Sequence, residues 1–151
     1  MGTVSAGCRK QLPGNPEALA IRDKEHYFQV WEEVKKETER PLLMFEENQP
    51  LTGDDHTLLQ QAHPKVLGLI KHKPLSFPPR VIYAKLLRAS NATDRALAAY
   101  LEALDVVPVE PPQEYLEIMA ECHADIGEIY FGRRELSKAE DELREALRIR
   151  P

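Results

Sequence analysis

Two stretches of this chain repeat one arrangement of small residues, large apolar residues and a closing proline. In each stretch a small residue is followed after four positions by a large one, after three more by alanine, and after five more by proline. The two sets lie 43 residues apart: Ala96, Tyr100, Ala103 and Pro108, and Ala139, Leu143, Ala146 and Pro151. Because a helix brings positions three and four apart onto one face, this spacing predicts helices that approach closely through their small residues.

A third, weaker copy of the arrangement lies earlier in the chain. It comprises Ala62, Val66, Leu69 and Pro74, and its first member precedes Ala96 by 34 residues. The segment before it contains Pro50 and Gly53, both of which disfavour a helix interior. We therefore do not count this copy as a complete repeat.

The last stretch closely resembles the tetratricopeptide repeat, whose 34-residue unit combines aromatic, small and closing proline positions. The resemblance rests on Ile126, Gly127 and Tyr130 in a first helix, followed by the Ala139 set in a second. It departs from the pattern at His123 and Leu143, where aromatic residues are usual, and at Ala84 of the preceding unit, where glycine is usual. The two units also lie 43 residues apart rather than 34. The alternative is a generic helical hairpin with alanine-rich contacts.

The resemblance implies an all-α fold of antiparallel helical hairpins, stacked in a short right-handed superhelix. Two repeats would cover residues 79–108 and 112–151. Residues 15–78 would form an N-terminal helical segment, either a cap or a degenerate repeat, and residues 1–14 a disordered leader.

Local signals predict the helix limits. We expect a helix from about residue 15 to Arg40, ended by Pro41, and a second from Asp54 to Lys71, interrupted at Pro64. The connectors would be residues 41–53 and 73–79. Thr93 and Ser137 are expected N-caps, and Ser137 with Glu140 forms a capping-box pattern. The remaining helices are predicted at residues 80–90, 94–105, 112–131 and 137–149.

Charge and cysteine content exclude several classes of protein. The chain has no run of 18 apolar residues, so no membrane span is expected. Its formal charge is −5 and its Lys and Arg residues form no stripe, which argues against nucleic acid as a partner. Two cysteines without a CxxC pair fit a reducing compartment, and we expect a cytoplasmic protein.

No catalytic motif is present, and we expect a protein that is not an enzyme and has no cofactor. His56 and His63 lie seven residues apart and could share a helix face, but a metal site needs three or four ligands and Pro64 is expected to break that helix. We therefore expect no metal site and solvent-exposed histidines. A metal-dependent enzyme built on these histidines is the least favoured alternative.

The family resemblance implies a protein–protein adaptor, in which the first helix of each repeat lines a concave groove for a peptide or a partner helix. The residues carried onto that groove are Val81, Lys85, Arg88, Ala124, Glu128 and Phe131. Reversal of Lys85 and Arg88 to Glu should weaken partner binding. One subgroup of the family clamps a carboxylate with basic residues, whereas this chain carries acidic Glu121, Asp125 and Glu128; a basic or mixed ligand is therefore preferred.

Two further roles stay open. Because a helical repeat needs a neighbour to cover its apolar face, the unit ending at Pro151 predicts an exposed end. The chain would then be a fragment or regulatory domain of a larger multi-subunit assembly, or it would self-associate through that open C-terminal end.

Overall fold

The computed structural model describes residues 16–150, so the leader expected over residues 1–14 lies outside the described residues, as does Pro151. Within that range the chain forms six α-helices and no strand, which confirms the all-α fold. The helices are α1 (Lys24–Glu46), α2 (Gly53–His72), α3 (Phe77–Ala89), α4 (Thr93–Asp105), α5 (Gln113–Gly132) and α6 (Leu136–Ile149).

Consecutive helices pack as three hairpins, α1 with α2, α3 with α4, and α5 with α6. The first helices of successive hairpins also pack against each other, since α3 contacts both α1 and α5. Two groups of buried side chains hold the stack together. One joins α1 and α2 to α3 around Val34 and Leu69, and the other joins α3, α4 and α5 around Phe77 and Ile126.

The turn inside each hairpin has the same backbone geometry. Asn48, Asn91 and Arg134 all adopt a left-handed conformation, with φ of 57°, 64° and 62°. In each turn the next residue donates its N–H to the carbonyl five residues earlier, at 2.9, 2.9 and 3.0 Å. This is the bonding of a Schellman helix end. The three left-handed residues lie 43 residues apart along the chain, so the spacing found between the last two stretches also applies to the first hairpin.

Two predicted helix breaks are wrong, because α1 continues through Pro41 to Glu46 and α2 continues through Pro64 to His72. Each proline removes one helical N–H, which normally destabilises a helix interior. Packing offsets that loss here. Pro41 and Leu42 are buried, and the segment Leu42–Phe45 that was expected in a connector forms the last turn of α1.

The first helix begins later than expected, with Asp23 as its N-cap. The Asp23 carboxylate accepts a hydrogen bond of 2.8 Å from the N–H of His26. The preceding segment lies instead against α2, where the Leu19 N–H donates to the Pro64 carbonyl at 2.9 Å. Gly68 permits this approach, since a Cβ there would collide with the Leu19 carbonyl oxygen.

Capping differs from the prediction at three helices. Thr93 and Ser137 lie inside α4 and α6, whose N-caps are Ala92 and Glu135, and neither cap makes a side-chain hydrogen bond. The capping box is instead at α2, where Thr52 and Asp55 exchange hydrogen bonds of 2.9 and 3.1 Å. Helix α3 begins at Phe77, three residues before the predicted position, because proline is well tolerated in a first turn.

Candidate partner-binding cleft

A cleft of about 250 Å³ lies where the first helices of the three hairpins meet. Its walls come from the C-terminal end of α1 and the following turn, from α3, and from the middle of α5. We call this feature the inter-hairpin cleft. Its lining residues are Phe45, Glu46, Asn48, Arg88, Glu121, Ala124, Asp125 and Glu128. Lys85 and Tyr100 line an adjoining smaller pocket together with several of the same side chains.

Lys85 ties the two outer walls of the cleft to α3. Its ammonium lies 3.2 Å from a Glu46 carboxylate oxygen on α1 and 3.0 Å from a Glu121 carboxylate oxygen on α5. Burial by itself would lower the pKa of Lys85, but Glu121 and Glu46 outweigh that effect and raise the pKa above its ordinary value. Lys85 therefore stays charged, and both of these carboxylates already have a cationic partner.

Arg88 makes the corresponding contacts one helical turn further along α3. Its guanidinium nitrogens lie 3.3 Å from Asp125 and 3.1 Å from Glu128, both on α5. The same guanidinium lies 5.6 Å from the ring centroid of Phe45, within the range of a cation–π interaction. Arg88 thus joins α3 to α5 and holds an aromatic side chain of α1 against the cleft.

Asp125 is the most buried carboxylate of the cleft. Tyr100, on α4, donates its hydroxyl to the second oxygen of Asp125 at 2.7 Å. Burial raises the pKa of Asp125, and the Tyr100 hydroxyl and Arg88 oppose that rise by stabilising the ionised form. Burial beside Asp125 also raises the pKa of the Tyr100 hydroxyl. Tyr100 consequently keeps its proton and acts as a donor.

The cleft carries more negative than positive charge. Four carboxylates, on Glu46, Glu121, Asp125 and Glu128, surround the two cations of Lys85 and Arg88. Glu46, Glu121 and Glu128 each expose about half of the side chain to solvent, whereas both cations are largely buried. A ligand entering from solvent therefore meets carboxylate oxygens first.

Three of the six predicted groove residues line this cleft, Arg88, Ala124 and Glu128, and Lys85 lines the adjoining smaller pocket. Val81 belongs to the buried core between α3, α4 and α5. Phe131 is exposed and lies outside the cleft lining. The partner-binding role of all six residues stays a prediction.

Sequence reasoning missed the contribution of α1. Phe45 and Glu46 were placed in a connector because Pro41 was expected to end the helix. A signal was nevertheless present, since Phe45 precedes Arg88 by the same 43 residues that separate the repeated stretches. Glu121 and Asp125 were noted as acidic residues of the last unit, and the structure shows that they face Lys85 and Arg88.

The two histidines considered for metal binding, His56 and His63, are not among the residues that line the cleft. His56 is exposed, and His63 is half-buried with its ring 5.6 Å from the Tyr83 ring, so the expectation that these histidines are exposed is correct only for His56. Burial lowers the pKa of His63 and raises that of the Cys122 thiol to about 12. Between residues 16 and 150, no three His, Cys, Asp or Glu side chains are grouped to hold a metal ion.

None of the six helices is both long and apolar enough to cross a membrane, over the part of the chain that the structure describes.

Comparison of the chain with protein-family models, curated proteins and solved structures found no match.

Proposed function

We propose that this protein is a non-catalytic adaptor that binds an extended segment of a partner protein in the inter-hairpin cleft. The segment would carry Lys or Arg side chains. The observation that carries the proposal is the excess of carboxylates over cations in a cleft formed by three consecutive hairpins. Complementary charge of this kind favours specific encounter with a basic partner.

The cleft also offers contacts for the uncharged part of such a segment. Phe45 presents an aromatic ring beside Arg88, and Ala124 leaves space on α5 because its side chain is short. Asn48 adds an amide that can donate and accept hydrogen bonds. Aliphatic stems of Lys or Arg could pack on Phe45 while their charged groups reach Glu121 and Glu128.

We further propose that the three hairpins are tetratricopeptide-like repeats arranged as a right-handed superhelix. Their common 43-residue turn spacing supports a repeated hairpin, although it is longer than the 34-residue tetratricopeptide unit. The small residue Gly127 opposite Leu143, at the contact between α5 and α6, supports the likeness to that family. The low cysteine content supports a cytoplasmic setting for such an adaptor.

The exposed carboxylates are the appropriate residues to change. Reversal of Lys85 and Arg88 to Glu would bring six carboxylates together and would disturb the packing of α1, α3 and α5. The variant Glu121→Gln/Glu128→Gln instead keeps size and hydrogen-bonding capacity while removing two charges. Glu114→Gln, which changes an exposed carboxylate of the same helix outside the cleft, is the matched control.

Binding of a fluorescently labelled peptide that alternates Lys with apolar residues would be measured by anisotropy, beside the same peptide with Glu in place of Lys. We expect only the Lys peptide to bind. The double variant should bind the Lys peptide about tenfold more weakly, because it loses charged contacts at a partly exposed site. The affinity of the Glu114→Gln control should not change. Equal binding of both peptides, or an unchanged affinity of the double variant, would refute the cleft as the binding site.

A further inference from the structure

Helix α6 carries an apolar ridge that α5 covers only in part, with Leu143 packed beside Gly127 of α5. Leu136, Leu143 and Leu147 are 60%, 41% and 65% exposed, and Ala139 is the only residue of this helix that is buried. The leucines are seven and four positions apart, so they lie on one side of the helix. We call these three residues the α6 ridge. Among the described helices, α6 contacts only α5, so no other element of the fold covers the ridge.

Charge is distributed unequally along the same helix. From Glu135 to Glu142 the acidic residues outnumber the basic ones, and from Leu143 to Arg150 the basic residues are in the majority. The acidic residues of the first half are Glu135, Glu140, Asp141 and Glu142, with Lys138; the second half has Arg144, Arg148 and Arg150, with Glu145. A second α6 placed antiparallel would therefore set each acidic half opposite a basic half.

We propose that the α6 ridge is the contact surface for a second copy of this chain, with the two α6 helices antiparallel about a twofold axis. This inference concerns a different surface from the inter-hairpin cleft and does not depend on the adaptor proposal. A twofold contact is self-complementary, so each pairing occurs twice.

A single register satisfies the apolar and the charged residues together. With the axis near residue 142, Leu136 lies opposite Leu147 of the second copy and Glu140 opposite Arg144 of the second copy. Leu143 lies next to the axis, where both copies contribute it to the centre of the contact. Antiparallel alignment also places the positive end of each helix dipole beside the negative end of the other.

The existing ion pairs of α6 do not prevent this exchange of partners. Within one chain Arg144 lies 3.3 Å from Glu140, and both side chains are mostly exposed. Exposed pairs four residues apart on a helix contribute little stability. Their charges are therefore available to an equivalent partner across the twofold axis.

The test measures self-association of the full 151-residue chain by sedimentation velocity over a range of concentrations. We expect a monomer–dimer equilibrium. Leu147→Glu should weaken it by about tenfold or more, since two leucines per dimer lose their apolar contact. Gln60→Glu, which adds the same single negative charge at an exposed position of α2, is the matched control and should leave the dimer intact.

Charge reversal tests the register. Glu140→Arg alone and Arg144→Glu alone should each weaken the dimer by about tenfold, because like charges then face each other across the axis. An equimolar mixture of the two variants should dimerise as the unmodified chain does, since the arginine introduced in one variant then meets the glutamate introduced in the other. Both variants lack the intrahelical pair, so recovery in the mixture cannot come from within one chain. Circular dichroism would establish that each variant keeps its helix content.

A chain that stays monomeric at every concentration would overturn the proposal. So would association that Leu147→Glu leaves unchanged, or a mixture that associates no more tightly than either charge variant alone.

Discussion

The first and third hairpins carry the same spacing of residues in their second helices, yet those residues are buried to different degrees. Val66 in α2 and Leu143 in α6 each lie four residues after an alanine, although Val66 is nine residues further from its hairpin turn than Leu143 is. Val66 is fully buried, whereas Leu143 is 41% exposed. The alanines before them, Ala62 and Ala139, are both buried. The small residue of this spacing is therefore buried in both hairpins, and only the large residue differs in burial.

Neighbouring helices account for this difference. Helix α2 packs against α1 on one side and α3 on the other, while α6 packs only against α5 among the helices that the structure describes. Helix α5 alone buries the small Ala139 but leaves the larger Leu143 partly exposed, whereas Val66 lies in a core to which α1, α2 and α3 all contribute. The same pattern of residues is a core in one hairpin and a contact surface in the other.

The largest expected effect comes from comparing a leucine of the first hairpin with a leucine of the third. Leu69→Ala should lower the free energy of unfolding by about 2–5 kcal/mol, because Leu69 is fully buried between α2 and its neighbours. Leu147→Ala should change the stability of the monomer by less than about 0.5 kcal/mol, because the side chain is exposed. Urea unfolding at a concentration that keeps the chain monomeric would compare them. Similar losses for both would show that α6 is covered as fully as α2.

Glycines in the first and third hairpins allow a second comparison. Gly68→Ala should cost about 1–3 kcal/mol, since the new Cβ would collide with backbone atoms of Leu19. At Gly127 the new Cβ would lie 3.0 Å from the Leu143 side chain, which is partly exposed and able to shift, so a smaller loss is expected. Gly132→Ala meets nothing within 4 Å and is the control. A cost at Gly127 as large as that at Gly68 would indicate that α6 is held rigidly.

Tyr100, which occupies the corresponding position of the middle hairpin, connects the core to the cleft. Tyr100→Phe should lower the free energy of unfolding by about 1–3 kcal/mol at neutral pH, because buried Asp125 loses a hydrogen-bond donor. The pKa of Asp125 is raised in the folded state, so ionisation of Asp125 disfavours folding once the pH exceeds the ordinary pKa of an aspartate. Loss of the Tyr100 hydroxyl raises the folded-state pKa of Asp125 further.

The deficit of Tyr100→Phe should therefore be largest at neutral pH and shrink as the pH falls through the folded-state pKa of Asp125, where the carboxyl becomes protonated. Urea unfolding from pH 7 downwards measures this. A deficit that does not vary with pH would mean that Tyr100 acts through packing alone.

The smallest expected effect concerns the left-handed residue of each hairpin turn. Arg134→Gly should stabilise the protein by about 0.5–1 kcal/mol, because glycine adopts a positive φ without the steric cost of a Cβ. Asn91→Gly should gain less, since asparagine tolerates this conformation better than arginine does. Thermal denaturation of both variants measures the difference. Destabilisation by Arg134→Gly would show that the arginine side chain contributes more than its backbone strain costs.

Much of the helical fold could be predicted from local spacing. The limits of α4, α5 and α6 were predicted to within one residue, because apolar periodicity and small residues are repeated there without an interior proline. Pro41 and Pro64 misled the prediction in the first hairpin. Their helix-breaking effect is local, whereas the burial of Pro41, and of Ala62 and Val66 on either side of Pro64, depends on residues distant in the chain.

The cleft could be predicted only in part. The position of first helices in the family pattern predicts Lys85, Arg88 and Glu128, and the structure places Arg88 and Glu128 in the cleft lining and Lys85 in the adjoining pocket. Tyr100 was recognised only as a packing residue, and no local pattern indicates that its hydroxyl reaches Asp125. Such a contact depends on how two hairpins dock, and periodicity within one helix carries no information about it.

Local patterns in the sequence were enough to predict that this chain is helical, that its helices pair through small residues, and that two of its stretches repeat after 43 residues. These properties follow from interactions within a few turns of helix. The packing of the hairpins on one another sets which apolar residues become core, brings α1 to one side of the cleft, and surrounds Lys85 and Arg88 with carboxylates. Those outcomes depend on which hairpin lies beside which, because burial and charge pairing are set by neighbours that are distant along the chain.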